Sequence, residues 1–330
     1  MTYLLPTLLC CVLLAGCRYL TPPRRRERLL KQEPFTPATW GLIELLGIFL
    51  VYAACVSVSL PLGQALFGWS FPPTDSYHAA AVASAPIYSV SDALMATASL
   101  LTAQATTTAC ALVAEERKLW LIGCSTLFAV LLGSVLLAAT TRARVGWTLA
   151  AFPRDAKLAL LAITLCLPVV FLVQAIVVQI PGMEYQHPLL ELLLDTPSPR
   201  LWLALSFSAV LVAPLHEEFF FRGLLQGWIE KLLRRPHQTK PTTDESNLAV
   251  SPSVPLASSS LPVWVPILVS SILFAAAHFN HGGGWIAIFV LSLGLGLLYH
   301  KTHRLLPCIL LHMALNAASL ALAYYSSLVN

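Results

Sequence analysis

Two adjacent glutamates, Glu217 and Glu218, and Arg222 lie in the stretch LVAPLHEEFFFRGLLQG (Leu211 to Gly227), which is otherwise apolar enough for a bilayer. An ionisable side chain at the centre of a membrane helix costs about 2.5 to 3.5 kcal/mol on insertion scales, so these three charges are functional candidates by default. Later apolar segments carry Phe274 and His278 in FAAAH, then His312 and Asn316 in HMALN. A carboxylate with a histidine can activate water as a general base, and a second histidine with an asparagine can donate hydrogen bonds to a developing oxyanion. Glu217, His278, His312 and Asn316 are therefore a candidate catalytic set for hydrolysing an amide bond without a side-chain nucleophile and without a cofactor. Metal hydrolysis is the alternative, with Glu217, His278 and His312 as zinc ligands. His216-Glu217 begins like HExxH, but the fifth position is Phe220, so the conventional zincin motif is absent. Ser271 and Cys308 are potential nucleophiles that sit in no recognisable nucleophile turn.

Spacing divides the three charges. Glu218 and Arg222 are four apart, on one helical face with the acid N-terminal to the base, the favoured order for an ion pair. Glu217 lies about 100° around the helix and has no local partner. This assigns Glu218 and Arg222 to structure and leaves Glu217 as the carboxylate available for chemistry; the bland alternative is a helix end facing water. His312 and Asn316, also four apart, share one stripe of an apolar helix and need partners across a bundle, for which Glu217 and His278 are the candidates. Taken alone, His278 would read as an interfacial or satisfied core histidine. His281, before three glycines, reads as a loop residue.

The elements that must position these residues are membrane helices. Of 330 residues, 57% are hydrophobic and 11% charged, with a mean hydropathy of +0.73; a soluble domain carries about 25% charge. The fold class is all-α, a polytopic bundle of about eight transmembrane helices. The net charge of +4 is confined to short polar segments, which set topology and exclude a nucleic-acid partner. The eight cysteines show no CxxC spacing and read as small apolar side chains.

Residues 1–36 form an N-terminal anchor helix and a basic segment. The run Leu4 to Leu20 ends in Leu14-Ala15-Gly16-Cys17, like a bacterial lipoprotein cleavage box, but its arginines follow the run, which favours an uncleaved anchor with its N-terminus outside. Residues 37–200 hold the N-terminal membrane helices, beginning at Trp40 as an interfacial anchor, with a weak or non-spanning segment at 93–114. Residues 201–330 form a catalytic four-helix core with a Pro-, Ser- and Thr-rich disordered loop at 231–262, and the piece 188–194 reads as an interfacial amphipathic segment. If 93–114 does not cross, the basic loops at 142–157, 231–240 and 300–304 all face the cytoplasm, and both termini lie outside.

Glu217-Glu218-x-x-x-Arg222, Phe274-x-x-x-His278 and His312-x-x-x-Asn316, in this order on successive predicted membrane helices, resemble the three motifs of the CAAX protease and bacteriocin-processing family. These are intramembrane glutamic endopeptidases that include the type II CAAX prenyl endopeptidases. The match covers roughly Pro214 to Ser319. The resemblance implies that Glu217 and His278 activate the attacking water and that His312 and Asn316 form the oxyanion hole. It makes Glu218 and Arg222 structural or substrate-orienting, has Phe274 shape the cavity, and opens that cavity to cytosol and bilayer. The expected partners are the lipid bilayer and a membrane-associated protein or peptide substrate, lipidated or not, in a bacterial cytoplasmic membrane. A non-catalytic scaffold or bacteriocin-immunity protein is the reading from another class. A transporter is disfavoured because the two halves show no inverted pattern of interrupted helices.

Overall fold

A computed structural model describes residues 38–71, 90–141, 151–183, 198–233, 264–280 and 282–329. The first apolar run, the 188–194 piece, His281 and the loop from 234 to 262 lie outside the described residues. All regular structure among the described residues is helical: α1 (Leu42–Phe67), α2 (Val90–Thr141), α3 (Phe152–Val177), α4 (Pro199–Leu233), α5 (Trp264–Ala277), α6 (Gly284–Thr302) and α7 (Leu305–Val329). Six of these are long and apolar enough to cross a membrane: α1, α3, α4, α6, α7 and the Leu112–Thr141 part of α2. The 14-residue α5 is a shorter apolar helix; at 1.5 Å per residue it extends only about 21 Å. The protein is an integral membrane helix bundle.

The spans are apolar on nearly every side, as lipid-facing helices must be. α1 is peripheral, burying Ile48, Ser59 and Gly63 while Ile43, Phe49 and Leu50 face outward. α6 and α7 are the most enclosed. Their Leu291, Leu295, Leu305, Ile309 and Leu311 join Phe219 and Leu224 of α4 in one core cluster with α3. Small residues let the helices close on one another. At Gly296 an added Cβ would lie 2.9 Å from Ile267 and 3.2 Å from the Gln226 side chain, and at Gly123 2.9 Å from the Phe207 ring.

Two features of this part lie beyond what the sequence reading described. The 93–114 segment and the following span form one 52-residue helix, about 78 Å long, without a break at Glu115-Glu116-Arg117-Lys118. Lys118 Nζ lies 3.5 Å from Glu115 Oε1 one turn away, so the charged stretch stays in register within the helix. Trp40, expected as an interfacial anchor, is buried, and its indole N–H donates to the Leu224 carbonyl at 3.0 Å. The Trp40 carbonyl in turn accepts from Lys231 Nζ at 2.8 Å, so the entry to α1 is tied to the end of α4.

The short turn between α6 and α7 is pinned from α3. Arg304 Nη2 lies 2.9 Å from Asp155 Oδ2, and both residues are buried. A buried ion pair adds little over an apolar substitute, but breaking one leaves an uncompensated charge at a cost of about 3 to 5 kcal/mol. Asp155→Ala is accordingly expected to lower the thermal unfolding temperature in detergent. A melting curve identical to that of the parent would show that this pair does not hold the turn.

Candidate active site

The residues singled out from sequence come from three helices, and the shape of α4 decides how they meet. α4 is α-helical over Pro199–Ser206, widens to π-helix over Phe207–Val212, returns to α over Ala213–Glu218, widens again over Phe219–Gln226, and ends as α over Gly227–Leu233. Both glutamates therefore sit on a six-residue α stretch between two π stretches, and π widenings are frequent at functional sites. Pro214 explains the first widening. A proline within a helix has no N–H to return and collides with the carbonyl four residues back. Ala213 N–H bonds Ser208 O with five-residue spacing, so the next bond in that pattern would run from Pro214 to Ala209 O and cannot form. Asn316 of α7 supplies it instead, its Nδ2 donating to Ala209 O at 2.7 Å. The second π stretch is gripped in the same way: Ser270 Oγ of α5 donates to Phe221 O at 2.9 Å, and Trp40 takes Leu224 O.

Glu218 and Arg222 form the expected pair, with Arg222 Nε 3.3 Å from Glu218 Oε2 and both side chains fully buried. Arg222 also donates to Ser292 Oγ of α6 at 2.9 Å, reaches Ser270 Oγ at 3.5 Å, and places its guanidinium 4.8 Å above the Phe274 ring. Phe274 is itself buried, packed edge-on to Phe221 and lying beneath the His278 and His312 rings. It is the apolar floor between the buried ion pair and the two histidines.

His312 was expected to seek Glu217 or His278, but its nearest partner is Glu218: Nδ1 lies 2.9 Å from Glu218 Oε1. A carboxylate only accepts, so Nδ1 carries the proton. Its other nitrogen, Nε2, faces Glu217 Oε2 at 3.7 Å. His278 is fixed similarly, Nδ1 donating to Phe274 O at 2.8 Å and Nε2 facing Glu217 Oε1 at 3.8 Å. Each histidine thus directs Nε2 at one oxygen of the same carboxylate. Both distances exceed direct hydrogen-bonding range, and a contact of this length is the place to look for a bridging water. The Glu217 and His278 side chains are each 18% exposed, whereas Glu218 is sealed.

The structure therefore gathers Glu217, Glu218, Arg222, Phe274, His278 and His312 around one point and sets Asn316 one helical turn beyond His312. His216 turns away to stack on Tyr52 at 4.1 Å, a placement that accords with the lack of a zincin helix. Ser270 and Ser292 were not anticipated. Ser270, Phe274 and His278 do share a four-residue spacing that could have marked the first of them; Ser292 had no motif residue on its own helix to flag it. Among the described residues, no group of three or more His, Cys, Asp or Glu is spaced to hold a metal ion.

Comparison with known proteins agrees with the motif reading over this region. No curated protein and no solved structure shows significant similarity to the chain. A protein-family match begins at α4 and ends within α7, just after Asn316: residues 199–318 are similar to the Type II CAAX prenyl endopeptidase Rce1-like family.

Proposed function

We propose that the protein is an intramembrane endopeptidase that hydrolyses a peptide bond of a membrane-associated, lipidated protein or peptide, with Glu217 as general base. The observation that carries this reading is the 3.8 Å separation of Glu217 Oε1 from His278 Nε2 on two partly exposed side chains. Because His278 commits its Nδ1 proton to Phe274 O, Nε2 of the neutral ring is an acceptor. A water between these two acceptors donates both protons to them and presents its lone pair to a substrate carbonyl. Attack breaks the carbonyl π bond and forms a tetrahedral oxyanion. The proton taken up by Glu217 then passes to the leaving amine as the C–N bond breaks.

Oxyanion donors come from α7. Asn316 retains one amide N–H beyond that given to Ala209 O, and His312 offers Nε2 as a donor when its ring is doubly protonated, with Glu218 bonded to Nδ1. Glu218 and Arg222 hold this arrangement in place. An open apolar groove lined by Trp120, Trp202, Phe207, Val210, Ala317 and Leu320 lies on the face formed by α2, α4 and α7 and includes none of the hydrolytic residues. The family match favours a prenylated C-terminal segment as the substrate.

Zinc hydrolysis is the weaker second reading: both histidines have Nδ1 hydrogen-bonded and Nε2 directed at Glu217, the outer-partner arrangement that metal-binding histidines use, but Glu217, His278 and His312 are not spaced to hold a metal ion as they stand. One assay separates these readings from a non-catalytic scaffold. The purified protein in lipid nanodiscs is given prenylated and unprenylated peptides, with metal content measured and a chelator added. Chelator-resistant cleavage that favours the prenylated peptide is expected. Stoichiometric zinc required for turnover would transfer the mechanism to the metal, and absence of cleavage would favour the scaffold.

A further inference from the structure

The family motifs occupy α4, α5 and α7, yet α6 runs beside α4 and meets it in register. Arg222 bonds Ser292, Gln226 bonds the Gly296 carbonyl at 2.9 Å, and Glu230 bonds His300 at 3.1 Å. Each partner is four residues beyond the last on both helices, so α6 presents one polar row to one polar row of α4. All six residues except Gly296 are buried polar groups at 4% exposure or less, and Gly296 contributes backbone. The rung nearest the glutamates differs from the others because its arginine also carries Glu218.

A fully buried guanidinium has five N–H donors to satisfy and strong reasons to be held in one orientation. The Ser292 hydroxyl gives the shortest hydrogen bond to Arg222, at 2.9 Å, and the Ser292 carbonyl gives a second contact to the same nitrogen at 3.5 Å. Ser270, by contrast, directs its proton to Phe221 O and reaches Arg222 only at 3.5 Å. From Arg222 the chain continues through Glu218 Oε2, then from Glu218 Oε1 to His312 Nδ1, and its Nε2 faces Glu217. We infer that Ser292 is a positioning residue of the hydrolytic site: it fixes Arg222, which fixes Glu218 and through it the plane and tautomer of the His312 ring.

This inference rests on the proposed hydrolysis, so its test uses one readout that depends on turnover and one that does not. In the full-length protein in nanodiscs, Ser292→Ala is expected to lower kcat about 10- to 100-fold with KM unchanged, the scale of loss when a catalytic group is displaced from outside the reaction centre. Ser292→Thr, which keeps the hydroxyl, recovers most of that loss. With the histidines 15N-labelled, the ring signals of His312 shift in Ser292→Ala while those of His303 do not. Parent kcat together with parent His312 signals, in a protein that Glu217→Gln inactivates, would overturn the positioning role and leave the peptidase reading standing. If the parent cleaves nothing, the His312 signals still decide: a shift supports the role and an unchanged spectrum overturns it. Should Ser292→Ala not accumulate, Ser292→Cys, which substitutes a weaker hydrogen-bonding group of similar shape, takes its place.

Discussion

Glu217→Gln is expected to reduce peptide cleavage by about 10²- to 10⁴-fold, the range a positioned general base contributes, while leaving the fold intact. Glutamine has almost the shape of glutamate and preserves the packing, but its amide cannot take a proton from water. Glu217 lies on the accessible edge of the site and is not part of the Arg222 pair, so removing its charge strands no buried cation. The measurement is turnover of a peptide by purified parent and variant, each checked by thermal unfolding. Equal turnover would refute Glu217 as the base. In cells, the same variant should accumulate an uncut precursor visible in the membrane proteome, which would also identify the substrate.

Arg222→Ala is expected to act in the opposite sense, on stability first and activity second. It leaves the Glu218 carboxylate fully buried, with His312 as its remaining close partner, and removes the group that fills the space above Phe274. Breaking a buried ion pair by deleting one member costs about 3 to 5 kcal/mol, a large part of the stability of an ordinary domain. A clear fall in the unfolding temperature in detergent, with loss of the monodisperse species, is the expected result. A stable Arg222→Ala protein would mean that Glu218 is neutral in the fold and that the pair is not what holds α4. Together the two substitutions separate neighbouring acids that differ by one position in sequence.

The sequence by itself determined the fold class and the identity of the acid to suspect. Too few charges for a soluble domain and long apolar runs dictate a helix bundle, and among the described residues six helices of spanning length follow. Glu218 and Arg222 were legible because a four-residue spacing on a helix places two side chains together whatever surrounds them. The order of the three motifs was legible for the same reason, since each is a local pattern on one helix.

Contacts between helices were not legible, because local spacing carries no information about which faces meet. His312 bonds Glu218 before it approaches Glu217, and Trp40 is buried with its indole N–H on a π-helical carbonyl. The π stretches of α4 were also hidden. Pro214 announces a fault in the helix, but whether a kink, a break or a widening results depends on what fills the missing bond, and here Asn316 fills it from another helix. Ser292 depends on the same tertiary fact: a serine in an apolar helix is unremarkable until α6 is laid against α4 and its hydroxyl falls 2.9 Å from a buried guanidinium. The sequence determined which residues could do chemistry, and only the packing of α4 through α7 decided which of them face one another.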